Sequence, residues 1–235
     1  MKVISLYDFT GVAVRPWAKA GAICFCFDIQ HPFSQFGADV EKVGKGEIHY
    51  LRADLHDTRE LDSIYEQCGA VDFLMAFPVC TDLAICGNSS KKLKLALNKN
   101  VEIEAAKYAT MCADLADRFG CPYMIENPIS RLATLWRKPD HYFHPFEFGG
   151  YLSDDEAVHP TWPDYIAPKD AYSKKTCLWT KDFVMPQKKP VDCESFGAST
   201  QYRKLGGKSM KTKNIRSATP RGFAKAVFLA NSRGL

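Results

Sequence analysis

A chain of 235 residues is long enough for one substantial core. Its 46% hydrophobic and 25% charged residues are ordinary for a globular protein and exclude a fibrous or low-complexity chain. The net charge is only +4, and the longest apolar run, AICFCF, is far too short to span a bilayer.

MKVISLYDF reaches an acid at position 8, so no signal peptide is expected. Nine cysteines, an odd number with no CxxC pair, argue for free thiols in a reducing, cytoplasmic setting. They argue against a disulfide framework or a zinc site.

In chain order, KVISLYDF predicts a first strand and GVAVRPWAKAG a turn entering a helix. AICFCFDI predicts a second strand that ends in Asp28, and EIHYLRADL a third that ends near Asp54. TRELDSIYEQ has helical periodicity. VDFLMAF predicts a fourth strand, which delivers Phe77 and then Cys80. NVEIEAAKYATMCADLADRFG is the clearest helix, and PYMIENP a fifth strand stopped by Pro128. A loop-rich insertion follows over 138–175. KTCLWT predicts a return strand and TPRGFAKAVFLAN a closing helix. Short apolar strands alternating with helices predict a single α/β domain over 1–235, a doubly wound Rossmann-like sheet.

Such sheets bind ligands beyond the carboxyl ends of their strands. Gly11 sits in the turn after the first strand, where a nucleoside could approach the backbone. Asp28 stands where a carboxylate can accept both ribose hydroxyls, and Asp54 where one can meet an adenine amino group or cap a helix. Cys80 and Glu126 fall at the ends of neighbouring strands and could converge on one small ligand. The thiol would be the nucleophile and the carboxyl a partner for a ring nitrogen. The stretch 203–221 carries seven Lys or Arg and no acid. It is either a solvated face or a phosphate-binding strip, in which Lys208, Lys211 and Lys213 would make the contacts.

DFTGVA (8–13), FPVCTDLA (77–84) and MIENP (124–128) together resemble motifs of the DNA cytosine-5 methyltransferase family, in its short bacteriophage form. AYSKKTCLWTKDF (171–183) and NIRSATPRGFAKAVFLAN (214–231) are similar to later stretches of those short members. Ala13, Val79 and Pro128 depart from the family pattern, and little chain remains for a target-recognition domain.

The resemblance implies a methyltransferase sheet with a reduced or absent recognition domain, which methylates carbon 5 of cytosine in DNA through a Cys80 adduct. Glu126 would hold the base and Asn127 brace the loop that carries it. S-adenosylmethionine would lie over Phe9, Thr10, Gly11 and Phe77, with Asp28 on its ribose and Asp54 near its adenine. Lys174 and Lys175 would meet phosphate or support the flipped base. It also implies a phage-infected or prophage-bearing host, and target recognition that is reduced, moved to the 140–175 loop or supplied by a protein partner. The alternatives are the same chemistry on RNA or a free pyrimidine nucleotide, transfer of a modified one-carbon group, and an inactive nucleic-acid-binding member. A thiol-dependent nucleoside hydrolase or deaminase is the reading from another class.

Overall fold

The structure is a computed structural model that describes residues 1–83, 96, 98–193, 200–206 and 209–232. Its centre is one eight-stranded sheet. β1 (Lys2–Leu6), β2 (Ile23–Phe27), β4 (Gly46–Leu51), β5 (Phe73–Ala76) and β6 (Tyr123–Pro128) run parallel in the order β4-β2-β1-β5-β6. Three antiparallel strands extend the edges. β3 (Val40–Val43) pairs with β4, while β8 (Thr176–Lys181) pairs with β6 and carries β7 (His141–Phe143) outside it. This order makes an α/β, Rossmann-like sheet whose strand order reverses between β1 and β5.

The local chemistry explains the strands. β5 is buried at every position and β1 at four of five, as parallel strands covered on both faces must be. Helices supply the cover. On one face α2 (Thr58–Cys68) and α3 (Val101–Phe119) pack on Ile4, Leu6, Phe25, Leu74 and Ile125. α3 turns an alanine-rich stripe, Ala105, Ala109, Ala113 and Ala116, toward this core, so its axis can lie close to the strands. Asp57 caps α2 by accepting from the Arg59 backbone N–H.

On the other face lie α1 (Arg15–Ala20) and the closing helix α7 (Arg221–Asn231). They cover Val3, Cys24, Phe73 and Met75, and Trp17 stacks on Phe73. Phe223 of α7 stacks on Phe143 of β7 with ring centroids 3.9 Å apart, which ties the C-terminal helix to the last edge strand.

Between them the chain makes a four-residue helix, α4 (Leu132–Leu135), and two 3₁₀ turns, Pro145–Tyr151 and Pro168–Asp170. The basic stretch forms two short helices, α5 (Thr200–Lys204) and α6 (Met210–Ser217). Ile215 and Ala218 bury themselves against Ile166, Ala167 and Tyr172, so this segment is fastened to the 138–175 insertion through a small core of its own.

The third predicted strand ends at Leu51, before Asp54. The edge strands β3 and β7 are not among the predicted elements. Among the described residues no helix is long and apolar enough to cross a membrane.

Candidate active site

The turn after β1 is organised by Asp8. Its buried carboxylate accepts from Ser5 Oγ at 2.8 Å, from the Gly11 N–H at 2.8 Å and from the Thr10 N–H at 3.1 Å. Burial pushes the Asp8 carboxyl up, and those hydrogen bonds pull it back down. Gly11 has φ +65°, and a Cβ there would lie 2.7 Å from the Tyr50 hydroxyl. Tyr50 in turn donates to Glu41 at 2.9 Å, and Arg15 clamps the same carboxylate with two bonds of 2.8 Å. Phe9 stands half-open and stacks on His31.

Asp28 is buried, and its Oδ1 accepts the Gln30 N–H at 2.8 Å. Asp54 is exposed, with its Oδ1 taking the His56 N–H in a local turn. Burial pushes the Tyr7 phenol up, and Cys112, Tyr108, Asp54 and Asp28 add to it in smaller measure.

Cys80 and Glu126 lie near enough to interact electrostatically. Cys80 is half-buried in the loop after β5, and Glu126 lies on β6 opposite Leu178 of β8. Glu126 Oε1 is sealed from solvent and has no hydrogen-bond partner among the described residues. Burial drives its carboxyl up from the ordinary range, against the pull of Lys174. The Cys80 thiol is also pushed up, first by burial and then by Glu126, while Lys174 and Arg216 pull it down. Burial thus disfavours the charged form of both groups.

Asn127 holds the geometry. Its side-chain amide donates to the Pro78 carbonyl at 2.9 Å, two residues before Cys80, and its Oδ1 accepts from Ser130 at 3.1 Å. One amide thus ties the Cys80 loop to the strand that carries Glu126.

Glu126 faces a narrow crevice of about 10 Å³, room for a single water. Phe77, Phe143 and Phe223 wall it, and Lys174, Thr176 and the Ser217–Pro220 segment close it. Phe77, expected over a cofactor, is thus a wall of the crevice at Glu126, which Cys80 itself does not line. Lys174 donates to the Arg216 carbonyl at 3.1 Å, which latches the segment before α7 over the acid. Lys175 lies over the Tyr142 ring and Lys211 over the Tyr165 ring. Lys213 is exposed on α6. Lys208 lies outside the described residues. Among the described lysines of this set, Lys174 alone lines the crevice.

A second, far larger space opens elsewhere on the same side of the sheet as α1. This groove of about 860 Å³ runs from Phe9 and Thr10 along α1 and α7 to His159 and Trp162. The expected cofactor residues are divided, because Phe9 and Thr10 line the groove whereas Asp28 and Asp54 do not.

No family model matches the chain, and no curated protein does. Among solved structures it is similar to a short-chain dehydrogenase/reductase mutant of Serratia marcescens, at 15% identity and a TM-score of 0.34. It is similar to an NADH-dependent reductase complexed with NAD at 17% and 0.30, and to a short-chain dehydrogenase of Mycobacterium thermoresistibile at 13% and 0.30. These matches cover 50%, 51% and 48% of this chain, and the chain spans about half the length of the matched structures, 50%, 55% and 45%. Likeness at this level transfers no activity, and the fold assignment rests on the strand order.

The comparisons correct the methyltransferase expectation. The structures named are dehydrogenases and reductases, one with NAD, and no methyltransferase family model matches. Methylation of cytosine, DNA modification, S-adenosylmethionine and membership of the phage family leave the account with it. The physical reason is that any open parallel sheet gathers strand-end acids, a turn glycine and loop side chains at its carboxyl edge. Asp28, Asp54 and Gly11 follow from that architecture, and Asp54 is already engaged in its own turn.

The sequence reading missed Asp8, although it lies in DFTGVA, because only the fold shows four donors closing on it. It also missed Phe143, Phe223 and Ser217–Pro220, which sequence-distant pairing brings to Glu126. No local signal marks them.

Proposed function

We propose that the protein is a thiol-dependent enzyme acting on a flat, electron-poor heterocycle or a conjugated carbonyl compound. The observation that carries this reading is Glu126 Oε1, sealed and unpartnered beside a half-buried thiol. A buried polar atom left unpaired costs about 1–3 kcal/mol. A ligand heteroatom at that position would repay it.

In this reading Cys80 sulfur bonds to the electron-poor carbon while the π pair shifts to the conjugated heteroatom. That heteroatom takes the Glu126 proton. The thiol proton leaves to solvent, which later restores the acid. The net change is reversible addition of S–H across a polarised double bond. Neutral Glu126 is the form the step needs, and burial favours that form. Asn127 positions the thiol through the Pro78 carbonyl. Because the crevice at Glu126 has room for only about one water, the substrate enters by lifting Lys174 and the Ser217–Pro220 segment.

The test is incubation with a panel of conjugated carbonyls and electron-poor heterocycles, followed by peptide-mapped mass spectrometry. A reversible adduct at Cys80 that is lost in Cys80→Ser is expected. Modification confined to Cys193, the other half-buried described thiol, would contradict the assignment.

A further inference from the structure

The groove between α1 and α7 presents two buried donors without a partner among the described residues. His159 is buried, and its Nδ1 accepts from the backbone N–H groups of Thr161 and Trp162, at 3.2 and 3.0 Å. With Nδ1 accepting, the ring proton is on Nε2. That atom is buried and has no partner among the described residues. Burial holds the ring neutral by lowering its pKa to about 4, with the Arg221 charge adding to the effect. Arg221 donates through one terminal nitrogen to the Ala157 carbonyl at 3.0 Å, while its Nε is buried and unpartnered among the described residues. Two unsatisfied donors ask for an acceptor.

The charges in the groove agree on its kind. Arg15, Lys19, Arg221 and Lys225 line it against a single carboxylate, Glu156, which Lys225 already pairs at 2.8 Å. Buried Asp170 lies close to Arg221 but accepts from the Gly222 N–H at 2.9 Å. The apolar walls include Phe9 and Leu229, both largely open at 40% and 58% exposure, which is free surface for a flat group. At about 860 Å³ the volume is that of a site for one small organic molecule, not a polymer.

We infer that this groove binds a small phosphorylated molecule with a flat apolar part, of the nucleotide class. Its phosphate sits on His159 Nε2–H and Arg221 Nε–H, and its ring lies along Phe9 and Leu229. The site is separate from the Cys80–Glu126 pair. The start of α7 joins them, since Pro220 closes the crevice at Glu126 and Arg221 faces the groove.

The experiment is calorimetric titration of the full-length protein with adenosine monophosphate, adenosine, inorganic phosphate and a short oligonucleotide. The monophosphate should bind at least about tenfold tighter than adenosine, as charge-assisted bonds require. His159→Asn keeps an acceptor for the two backbone N–H groups and removes the Nε2 donor. Arg221→Lys keeps the charge and removes the Nε donor. Each should weaken the monophosphate about tenfold and leave adenosine binding and Cys80 adduct formation unchanged, which separates this site from the thiol reading. Equal binding of monophosphate and adenosine would overturn the inference, as would variants that bind the monophosphate like the wild type. So would binding of the oligonucleotide alone, which would make the groove a nucleic-acid contact.

Discussion

Asp8, Gly11 and Tyr50 show how few atoms set the carboxyl edge. Asp8 draws the turn inward by accepting from Gly11, and Tyr50 fills the space in which a side chain at position 11 would stand. Gly11→Ala meets two obstacles at once, a left-handed φ and a contact of 2.7 Å to a ring pinned by Glu41. A left-handed non-glycine residue costs about 1–3 kcal/mol, so Gly11→Ala should lower the unfolding free energy by at least that much in a urea titration. Stability equal to wild type would show that Tyr50 yields freely. Cys80 and Glu126 stood out in the sequence because each lies on or just after an apolar strand. Their protonation states were not, since the pressure on Glu126 comes from burial by Phe143, Phe223 and the Ser217–Pro220 segment.

Among the elements, the parallel strands and α3 were legible for a plain reason. Continuous apolar runs and a helical stripe of alanines each admit one way of being buried. β3 and β7 were not. VEKV is four residues with only Val43 buried, and HYF is three, so pairing with β4 and β8 decides their state. The packing of α7 also has no sequence signature except Gly222. In most helices Gly→Ala stabilises by about 1 kcal/mol. Here a Cβ would lie 2.4 Å from the Phe148 backbone oxygen, so the sign reverses. Gly222→Ala should destabilise by about 1–3 kcal/mol in thermal unfolding, and a raised Tm would mean that α7 does not sit so close to the Pro145–Tyr151 turn.

At the scale of the molecule, the sheet separates two kinds of space. The crevice at Glu126 is narrow, aromatic and nearly closed, while the groove along α1 and α7 is wide and cationic. The Lys174 latch to Arg216 and the start of α7 connect them through one continuous segment. The account stands or falls on whether Glu126 acts as a proton donor to what Cys80 attacks, and two electrophiles decide it. Iodoacetamide needs only the thiolate, whereas a conjugated carbonyl also needs a proton. Ionised Glu126 raises the Cys80 thiol pKa, so where that acid is ionised Glu126→Gln should shift the alkylation profile to lower pH and leave iodoacetamide no slower near neutral pH. Conjugate addition at Cys80 should instead fall by about 100-fold, the usual worth of a positioned general acid. Rates of Cys80 modification by the two reagents, from pH 6 to about 10 around the ordinary thiol range, give the answer. Opposite responses are the predicted result, and an equal change with both reagents would contradict the role assigned to Glu126.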